Sequence, residues 1–228
     1  MLIGKIPAPT HLQLKIDGVL ISKQHGVKFL GIYLDQHLTW TDHIAHVKSK
    51  LSKSLYALNC IKKYVPGSRL RMLYYTMIHT YLQYGITLWG SANPSNLQKI
   101  IRLQKKAVRI ISHSVYNATT PPLFKRAQIL NMTDMYKTES LKLMYDILNG
   151  NAPEELLSIF SQNIDIHEHN TRHRHNVHIQ SQRTHKASMS FLHNGPRLWS
   201  ALPQTICTEM SKKCFKRQVK SHFLNMYE

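Results

Sequence analysis

The sequence predicts a mainly α-helical protein that opens with a short β-strand region. After residue 39, apolar residues recur every three or four positions in several segments, which is the period of amphipathic helices. Between residues 11 and 34 they alternate with polar residues or form a short run, and Asp17-Gly18 is typical of hairpin turns. The three predicted strands contain Leu12, Leu14 and Ile16; Val19, Leu20 and Ile21; and the run from Val27 to Leu34.

The first predicted helix begins at a pattern that resembles a capping box. Thr39 precedes Asp42 by three residues, and the aspartate takes the usual place of glutamate. Pro66-Gly67 ends this helix, and a second helix over residues 68–89 is rich in Leu, Met and Tyr and is therefore predicted to be buried. The apolar stripe of the first helix comprises Ile44, Val47, Leu51, Leu55, Leu58 and Ile61.

Asn93-Pro94 predicts the start of a third helix, because asparagine is a favoured N-cap and proline a favoured first helical residue. Shorter helices are predicted over residues 121–130, 153–160 and 211–225, and another from the cap Thr133 to Gly150. Residues 161–190 show no apolar period and predict a loop, and Gly195-Pro196 introduces a short apolar piece. The inward residues of the third helix are Leu97, Ile100, Ile101, Val108 and Ile111.

Aromatic residues in the predicted helices are assigned to the core. Tyrosines can stack on nucleic-acid bases, but these occur in a strongly apolar helix, so core packing is the preferred interpretation. The residues concerned are Trp40, Trp89, Trp199, Tyr74, Tyr75, Tyr81 and Tyr84.

The charge of the chain is strongly positive. Thirty Lys and Arg oppose twelve Asp and Glu among 228 residues, which gives a formal net charge of +18. No Asp or Glu occurs from His43 to Thr133, so opposite charges cannot support the helices there. Such a surface attracts polyanions, of which nucleic acid is the commonest and an anionic membrane surface the alternative.

The sequence offers no predicted catalytic or metal site. No Asp-Asp pair is present that could hold two metal ions, and there is no phosphate-binding P-loop and no G-x-S-x-G motif. Arginines interrupt a histidine-rich tract, so we predict an extended basic arm there rather than a metal site. The histidines of the tract are His167, His169, His173, His175 and His178.

Signals for export and for membrane insertion are also absent from the sequence. There is no apolar run of about 18 residues and no pattern of a signal peptide. The three cysteines are odd in number and far apart, which is typical of a reducing compartment. We therefore expect an intracellular protein, in the nucleus or the cytoplasm, with no membrane span.

Residues 27–44 read VKFLGIYLDQHLTWTDHI and resemble the reverse transcriptases of non-LTR retrotransposons, most closely the jockey type. The likeness covers nearly the whole chain in the order of that family. Each motif is modest in specificity, but the ordered set is strong. The further motifs are YLQYGITLWGSA (81–92), LQKIIRLQKKAVRIIS (97–112), GPRLWSALP (195–203) and SKKCFKRQVKSHFL (211–224).

The resemblance implies a division of the chain into three parts. Residues 1–38 would be the end of a polymerase palm, 39–115 a thumb-like basic helical bundle, and 116–228 a helical C-terminal extension containing the His-rich loop 161–190. Phe29, Leu30 and Gly31 would be primer-grip-like. The catalytic aspartates would lie upstream of Met1, so the chain is expected to be part of an RNA-directed DNA polymerase without catalytic residues or cofactor. Mg²⁺ would belong to the missing palm.

The partner implied by the resemblance is an RNA–DNA or DNA duplex, held by its backbone without sequence specificity; the missing polymerase half is a further one. Two other interpretations remain open: a domesticated basic helical module that binds an acidic protein or a membrane surface, and a pseudogene product without a selected role. The predicted nucleic-acid-binding residues are Lys48, Lys50, Lys53, Lys62, Lys63, Arg69, Arg71, Lys99, Arg102, Lys105, Lys106 and Arg109.

Overall fold

Helices dominate the computed structural model, which describes residues 15–20, 24–166 and 177–227. Of the described residues, 62% are helical and 7% lie in strands. Two small antiparallel hairpins come first and helices follow. The predicted fold class, mainly α with a short N-terminal β region, is confirmed.

The first hairpin pairs β1 (Lys15–Ile16) with β2 (Val19–Leu20). Its turn is the predicted Asp17-Gly18 dipeptide, in which both residues have positive φ angles, as a type I′ turn requires. The predicted strand residues Leu12, Leu14 and Ile21 lie outside the described residues.

The apolar run from Val27 to Leu34 forms a second hairpin, so its prediction as one strand was wrong. The pair β3 (Gly26–Phe29) and β4 (Ile32–Asp35) is antiparallel. The chain reverses at Leu30 and Gly31, whose φ angles are 45° and 82°. A left-handed pair of this kind is the turn that matches the twist of a hairpin, and the apolar character of Leu30 concealed it.

The second hairpin is fastened to the helical body at three points. The Tyr84 hydroxyl donates a hydrogen bond of 2.5 Å to the carbonyl oxygen of Leu30, at the tip. The Tyr33 amide donates to Nδ1 of the buried His43, at 3.5 Å. Ile32 is buried against Gly85, where a Cβ would come within 2.5 Å of the isoleucine Cδ1. Glycine at position 85 therefore permits the contact.

Helix α1 (Thr41–Ile61) has the predicted apolar stripe but not the predicted cap. Trp40 is the N-cap, with φ 61°, and no side chain caps the helix. The Thr39 hydroxyl instead donates to the carboxylate of Asp35, at 3.1 Å. That carboxylate also accepts the amide N–H groups of Thr39 and Trp40, each at 2.9 Å. The predicted capping box was therefore wrong, because the Thr39 hydroxyl is hydrogen-bonded to the carboxylate of Asp35, which lies before the helix.

The predicted helix over 68–89 is divided into α2 (Gly67–Tyr74), a π-helical turn (Tyr75–His79), α3 (Thr80–Gln83) and α4 (Ile86–Trp89). Its buried residues recur every four positions, a longer period than the 3.6 residues of an α-helix. The wider π turn keeps them on one face. These residues are Leu70, Tyr74, Ile78, Leu82 and Ile86.

Helix α5 (Pro94–Ile111) begins as predicted, since Oδ1 of Asn93 accepts the Ser95 amide at 3.0 Å. Helix α1 packs along it. The buried Gln104 fixes α5 to its neighbours through three hydrogen bonds. Its amide nitrogen donates to the Tyr74 hydroxyl and the Leu130 carbonyl, and its oxygen accepts the Met132 amide at 2.7 Å.

The second half of the chain packs around α7 (Met132–Leu148). The cap of α7 is Asn131 rather than the predicted Thr133, because the Asn131 oxygen accepts the Asp134 amide at 2.9 Å. The remaining α-helices of the described residues are α6 (Pro121–Ala127), α8 (Glu154–Leu157), α9 (His185–Ser188), α10 (Phe191–Ser200), α11 (Gln204–Cys207) and α12 (Lys212–Asn225), and a short 3-10 helix spans Asn163–Asp165.

Two further predictions for this half were wrong. Gly195 and Pro196 lie buried inside α10 instead of preceding an apolar piece, because α10 presses closely on α7 there. A Cβ on Gly195 would come within 2.8 Å of the Met144 sulfur. Helix α9 also lies in the segment predicted as a loop, where the Thr184 hydroxyl caps it by accepting the Ala187 amide.

One large core joins α1, the helices from α2 to α7, α11 and α12. Trp89 is fully buried in it, and Trp40 and Trp199 pack at its edge, as predicted for core anchors. Of the four tyrosines assigned to the core, Tyr74 is fully buried and Tyr75 half-buried, whereas Tyr81 and Tyr84 are exposed. Their assignment to the core was wrong, because they follow the π turn and face away from the buried stripe. The division of the chain at residues 38 and 115 stays a prediction.

Candidate nucleic-acid interface

A groove of about 600 Å³ runs between α1 and α5. Residues of both helices form its walls, and the loop 112–120 that follows α5 closes one end. We call it the α1–α5 groove. It is lined by Ser52, Leu55, Tyr56, Asn59, Lys62, Lys63, Leu103, Lys106, Arg109, Ile110, His113, Ser114 and Tyr116.

The structure brings four of the twelve predicted phosphate-binding residues into this groove: Lys62, Lys63, Lys106 and Arg109. They converge because α1 and α5 are packed side by side and each helix turns its apolar stripe towards the core. Lys63 and Lys106 are exposed, and Lys62 and Arg109 are half-buried. Long basic side chains in such positions can cover apolar surface with their stems and keep their charges in water.

The other eight predicted residues lie outside the groove. On α5, Lys99 donates to Oδ1 of Asn96 at 2.9 Å, and Lys105 lines a separate small depression beside α6. On α2, the Arg71 guanidinium stands 5.7 Å from the centre of the Tyr75 ring. The remaining five are exposed or half-buried on the surface of α1, α2 and α5: Lys48, Lys50, Lys53, Arg69 and Arg102.

Among the described residues, no carboxylate lines the α1–α5 groove. In the described part of the chain, the ion pairs are Lys137–Asp134, Lys142–Glu139 and Lys212–Asp146. All of them involve α7, and none includes a predicted phosphate-binding residue. Because uncompensated like charges repel one another, an external anion bound between them lowers their electrostatic energy.

The loop 112–120 is held in place by hydrogen bonds to its backbone. Nε of Arg109 donates to the Ala118 carbonyl at 2.9 Å, and the Ser114 amide donates to the Arg109 carbonyl at 3.0 Å. Arg126 donates to the Ser112 carbonyl at 3.4 Å. Arg109 therefore supports one end of the groove as well as contributing charge.

Two exposed tyrosines in the groove were missed by the sequence analysis. Tyr56 is 74% exposed on α1, and Tyr116 is 78% exposed in the loop. A signal for Tyr56 existed, because it follows Leu55 and so lies off the apolar stripe. The position of Tyr116 depends on the hydrogen bonds of Arg109 and Arg126, which the local sequence does not show.

The primer-grip-like residues lie at the tip of the second hairpin and do not line the α1–α5 groove. Phe29 and Leu30 are 61% and 74% exposed, and a Cβ on Gly31 would meet the Tyr84 ring at 3.6 Å. Their predicted role stays a prediction.

Most of the histidine-rich tract lies outside the described residues, namely His167, His169, His173 and His175. His178 is described, and its Nδ1 lies 3.1 Å from Oδ1 of Asn163. Within the described ranges, no three His, Cys, Asp or Glu side chains are grouped as a metal ion would need.

A second basic groove, of about 680 Å³, lies between the π turn, α7 and α12, and we call it the α7–α12 groove. It contains a carboxylate, Glu139, which accepts from Lys142 at 2.7 Å. Burial lowers the pKa of His79 in this groove, and Lys220 and Lys142 lower it further against the opposing effect of Glu139. A helix over residues 211–225 was predicted from the sequence, but its basic residues were not assigned to a site. The groove cations are Lys142, Lys212, Lys213, Lys216, Arg217 and Lys220.

A helical body with an acid-free basic groove is typical of proteins that bind nucleic acid through its phosphates. The comparisons with known proteins find RNA-directed DNA polymerases of Drosophila mobile elements among the proteins similar to this chain. The chain is 28% identical over 115 residues to the probable RNA-directed DNA polymerase from transposon BS of Drosophila melanogaster, which covers 49% of this chain and 13% of that protein.

Two jockey relatives agree with this match. The RNA-directed DNA polymerase from mobile element jockey of Drosophila melanogaster is 27% identical over 133 residues, 57% of this chain and 14% of the relative. Its counterpart in Drosophila funebris is 32% identical over 101 residues, 42% of this chain and 11% of the relative. The resemblance to jockey-type reverse transcriptases is thereby confirmed over about half of this chain, and the matches span only about an eighth of the relatives' length.

No protein-family model matches the chain, and no solved structure matches it significantly. In the described ranges, none of the helices has both the length and the apolar character needed to cross a membrane.

Proposed function

We propose that the chain is a thumb-like, nucleic-acid-holding part of a jockey-type reverse transcriptase, and that the α1–α5 groove binds the phosphates of a template–primer duplex. The observation that carries the proposal is the convergence of Lys62, Lys63, Lys106 and Arg109 in a groove without a carboxylate. The similarity to RNA-directed DNA polymerases supports it.

The chemistry of the groove favours binding to the backbone rather than reading of the base sequence. Lysine is a point charge on a flexible stem, which suits phosphates, whereas base recognition relies on bidentate side chains in a groove of the nucleic acid. Arg109 already uses its Nε for the Ala118 carbonyl. The partner is therefore an RNA–DNA or DNA duplex of any sequence.

DNA synthesis belongs, in this proposal, to a palm that carries the catalytic aspartates and Mg²⁺. Residues 1–38 end that palm, with Phe29, Leu30 and Gly31 close to the primer, and 39–115 and 116–228 form the thumb and its extension. Addition of this chain to an inactive palm-containing half should restore DNA synthesis. A chain that never restores it, under conditions where it binds duplex, would contradict the polymerase part of the proposal.

The binding itself is tested by titrating an RNA–DNA duplex with the full chain at several salt concentrations. Each neutralised phosphate contributes about −0.9 to the log–log salt slope, so replacing Lys62, Lys63 and Lys106 with Gln should reduce the slope by about 2.7. Arg109 is left unchanged because it supports the loop. Salt-independent binding, or a slope unaffected by the triple substitution, would favour a protein- or membrane-binding module instead.

A further inference from the structure

We propose that the α1–α5 groove also takes an unpaired nucleotide, with its base against the rings of Tyr56 and Tyr116 and the neighbouring phosphates on the groove cations. This inference rests on the proposed function and deepens it, because it specifies the strand state of the nucleic acid at this site. The ligand would be a single-stranded overhang or gap in the bound RNA or DNA.

The two tyrosines are placed for stacking rather than for packing. Tyr56 lies on the α1 wall and Tyr116 in the loop that closes the groove, and both rings are about three-quarters exposed. Among the described residues, neither hydroxyl makes a hydrogen bond. An exposed ring gains little in water but gains the stacking energy of a base that covers it.

The floor and the volume of the groove are compatible with a nucleotide base. Its floor is apolar, with Leu55 buried and Leu103 and Ile110 half-buried. Its volume of about 600 Å³ lies within the range of small-molecule pockets, roughly 300–1,000 Å³. A flat base can therefore cover this apolar floor with its ring.

The order of residues along α1 suits a strand that runs past the groove. Tyr56 and Asn59 are three residues apart, so they share one face of the helix. Lys63 lies in the turn two residues beyond the end of α1, about 10 Å from the tyrosine along the helix axis at 1.5 Å per residue. A base on Tyr56 and a phosphate on Lys63 would thus come from different parts of the strand, and the Asn59 amide lies between them.

A paired base cannot use this site. In a duplex, both faces of each base are covered by its neighbours, so only an unpaired or extruded base offers a free face to a ring. The cations, in contrast, bind phosphates of either strand state. Stacking at the tyrosines and charge at the lysines are therefore separable properties.

The experiment measures the affinity of the full chain for three labelled oligonucleotides of equal length by fluorescence anisotropy. They are single-stranded oligo-dT, a strand with the same phosphates but abasic sugars, and a blunt duplex. Tyr56→Ala with Tyr116→Ala should weaken oligo-dT binding about tenfold or more, and should leave the abasic strand and the duplex within twofold.

Two matched variants make the result specific. Tyr56→Phe with Tyr116→Phe keeps the rings and should retain the affinity for oligo-dT. Tyr64→Ala removes a tyrosine that is 85% exposed but does not line the groove, and should have no effect. Circular dichroism melting confirms that each variant is folded.

Unchanged oligo-dT affinity in the double alanine variant would overturn the inference, as would an equal loss on the abasic strand or an equal loss from Tyr64→Ala. The proposed function would survive those outcomes as long as the duplex binds with the expected salt dependence. A wild-type chain that binds none of the three oligonucleotides would overturn both.

Discussion

The α1–α5 groove and the α7–α12 groove are similar in size and both are lined by basic residues, yet their charges are arranged differently. The first contains no carboxylate. In the second, Glu139 pairs with Lys142, and the lining residue Lys212 pairs at 2.7 Å with Asp146, which lies outside the lining. An exposed ion pair contributes little stability, but its carboxylate lowers the local positive potential and competes with a phosphate for the cation. The count of basic residues is therefore a poorer guide to a phosphate site than the absence of acids beside them.

Among the described residues, the tyrosines of the two grooves also differ, because that of one groove is bound to neighbouring groups and those of the other are not. In the α7–α12 groove, the half-buried Tyr75 donates to the Gln128 carbonyl at 3.2 Å, and Arg71 lies against its ring. Tyr56 and Tyr116 in the α1–α5 groove have neither restraint among the described residues. The tyrosine of the α7–α12 groove thus stabilises the fold, whereas the two tyrosines of the α1–α5 groove are available to a ligand.

The largest expected effect comes from removing equal charge from each groove. Lys62, Lys63 and Lys106 changed together to Gln should weaken duplex binding several-hundredfold at about 100 mM salt, from three lost phosphate contacts. The control is the matched change of Lys213, Lys216 and Arg217 to Gln, which should cost no more than about fivefold through the lower net charge. Filter binding measures both, and equal losses would show that only net charge matters.

Gln104→Leu should destabilise the body that carries both grooves. The substitution leaves the Tyr74 hydroxyl, the Leu130 carbonyl and the Met132 amide without their buried partner, which should lower the free energy of unfolding by about 3 kcal/mol. Urea denaturation measures the loss. The exposed Gln98→Leu on the same helix is the control, and a loss as small as that of the control would contradict the assigned hydrogen bonds.

The free energy of unfolding should fall in acid because of His43, which is buried near the start of α1. Burial, with the nearby His46, lowers the pKa of His43 to about 4 from 6.5. Below pH 6.5 His43 is protonated in the unfolded chain but stays neutral in the folded chain. The free energy of unfolding therefore falls as the pH is lowered from 6.5 towards 4. We expect His43 to account for about 1–2 kcal/mol of the loss between pH 7 and pH 5.

The control for this prediction is His43→Asn, whose side-chain oxygen can replace Nδ1 as the acceptor of the Tyr33 amide. It should make the decline of unfolding free energy with acid shallower without abolishing it, because burial also lowers the pKa of His46 and His79. An unchanged decline in urea melts across this range would exclude His43 as a source.

The smallest expected effect comes from removing the carboxylate of the α7–α12 groove, which makes its charge more like that of the α1–α5 groove. Glu139→Gln removes the carboxylate next to Lys142 while keeping the shape of the side chain and its contact with Gln83. Duplex affinity should rise about two- to threefold from the added positive potential. The same measurement on Glu154→Gln, a carboxylate outside both grooves, is the control. If the two variants gain equally, the carboxylate in the groove has no special effect.

Much of the helical fold could be predicted because its signals are local. The stripe of α1 and the Asn93-Pro94 start of α5 depend on residues within the same helix. The mistakes arose where a distant or unexpected partner decides the conformation. Asp35 takes the hydrogen bonds of Thr39, and the contact of Gly85 with Ile32 lies at the break before α4.

The candidate site also has features that the sequence predicts and features that depend on distant contacts. The outward position of Lys106 follows from the periodicity of α5, so the cations could be predicted individually. Their convergence with Lys62 and Lys63 requires the packing of α1 on α5, and the position of Tyr116 requires the hydrogen bond from Arg109 to Ala118. Neither the convergence nor the position of Tyr116 can be read from a short stretch of sequence.

The π turn between α2 and α3 has an evolutionary consequence. A π turn is an α-helix with one residue inserted, since its hydrogen bonds join residues five apart instead of four. Deleting Thr76, which is exposed, would turn the segment into continuous α-helix and place Tyr74, Ile78 and Leu82 at spacings of three and four. The core should accept that deletion, because the same side chains would stay on the buried face, so a chain one residue shorter here could keep the same core.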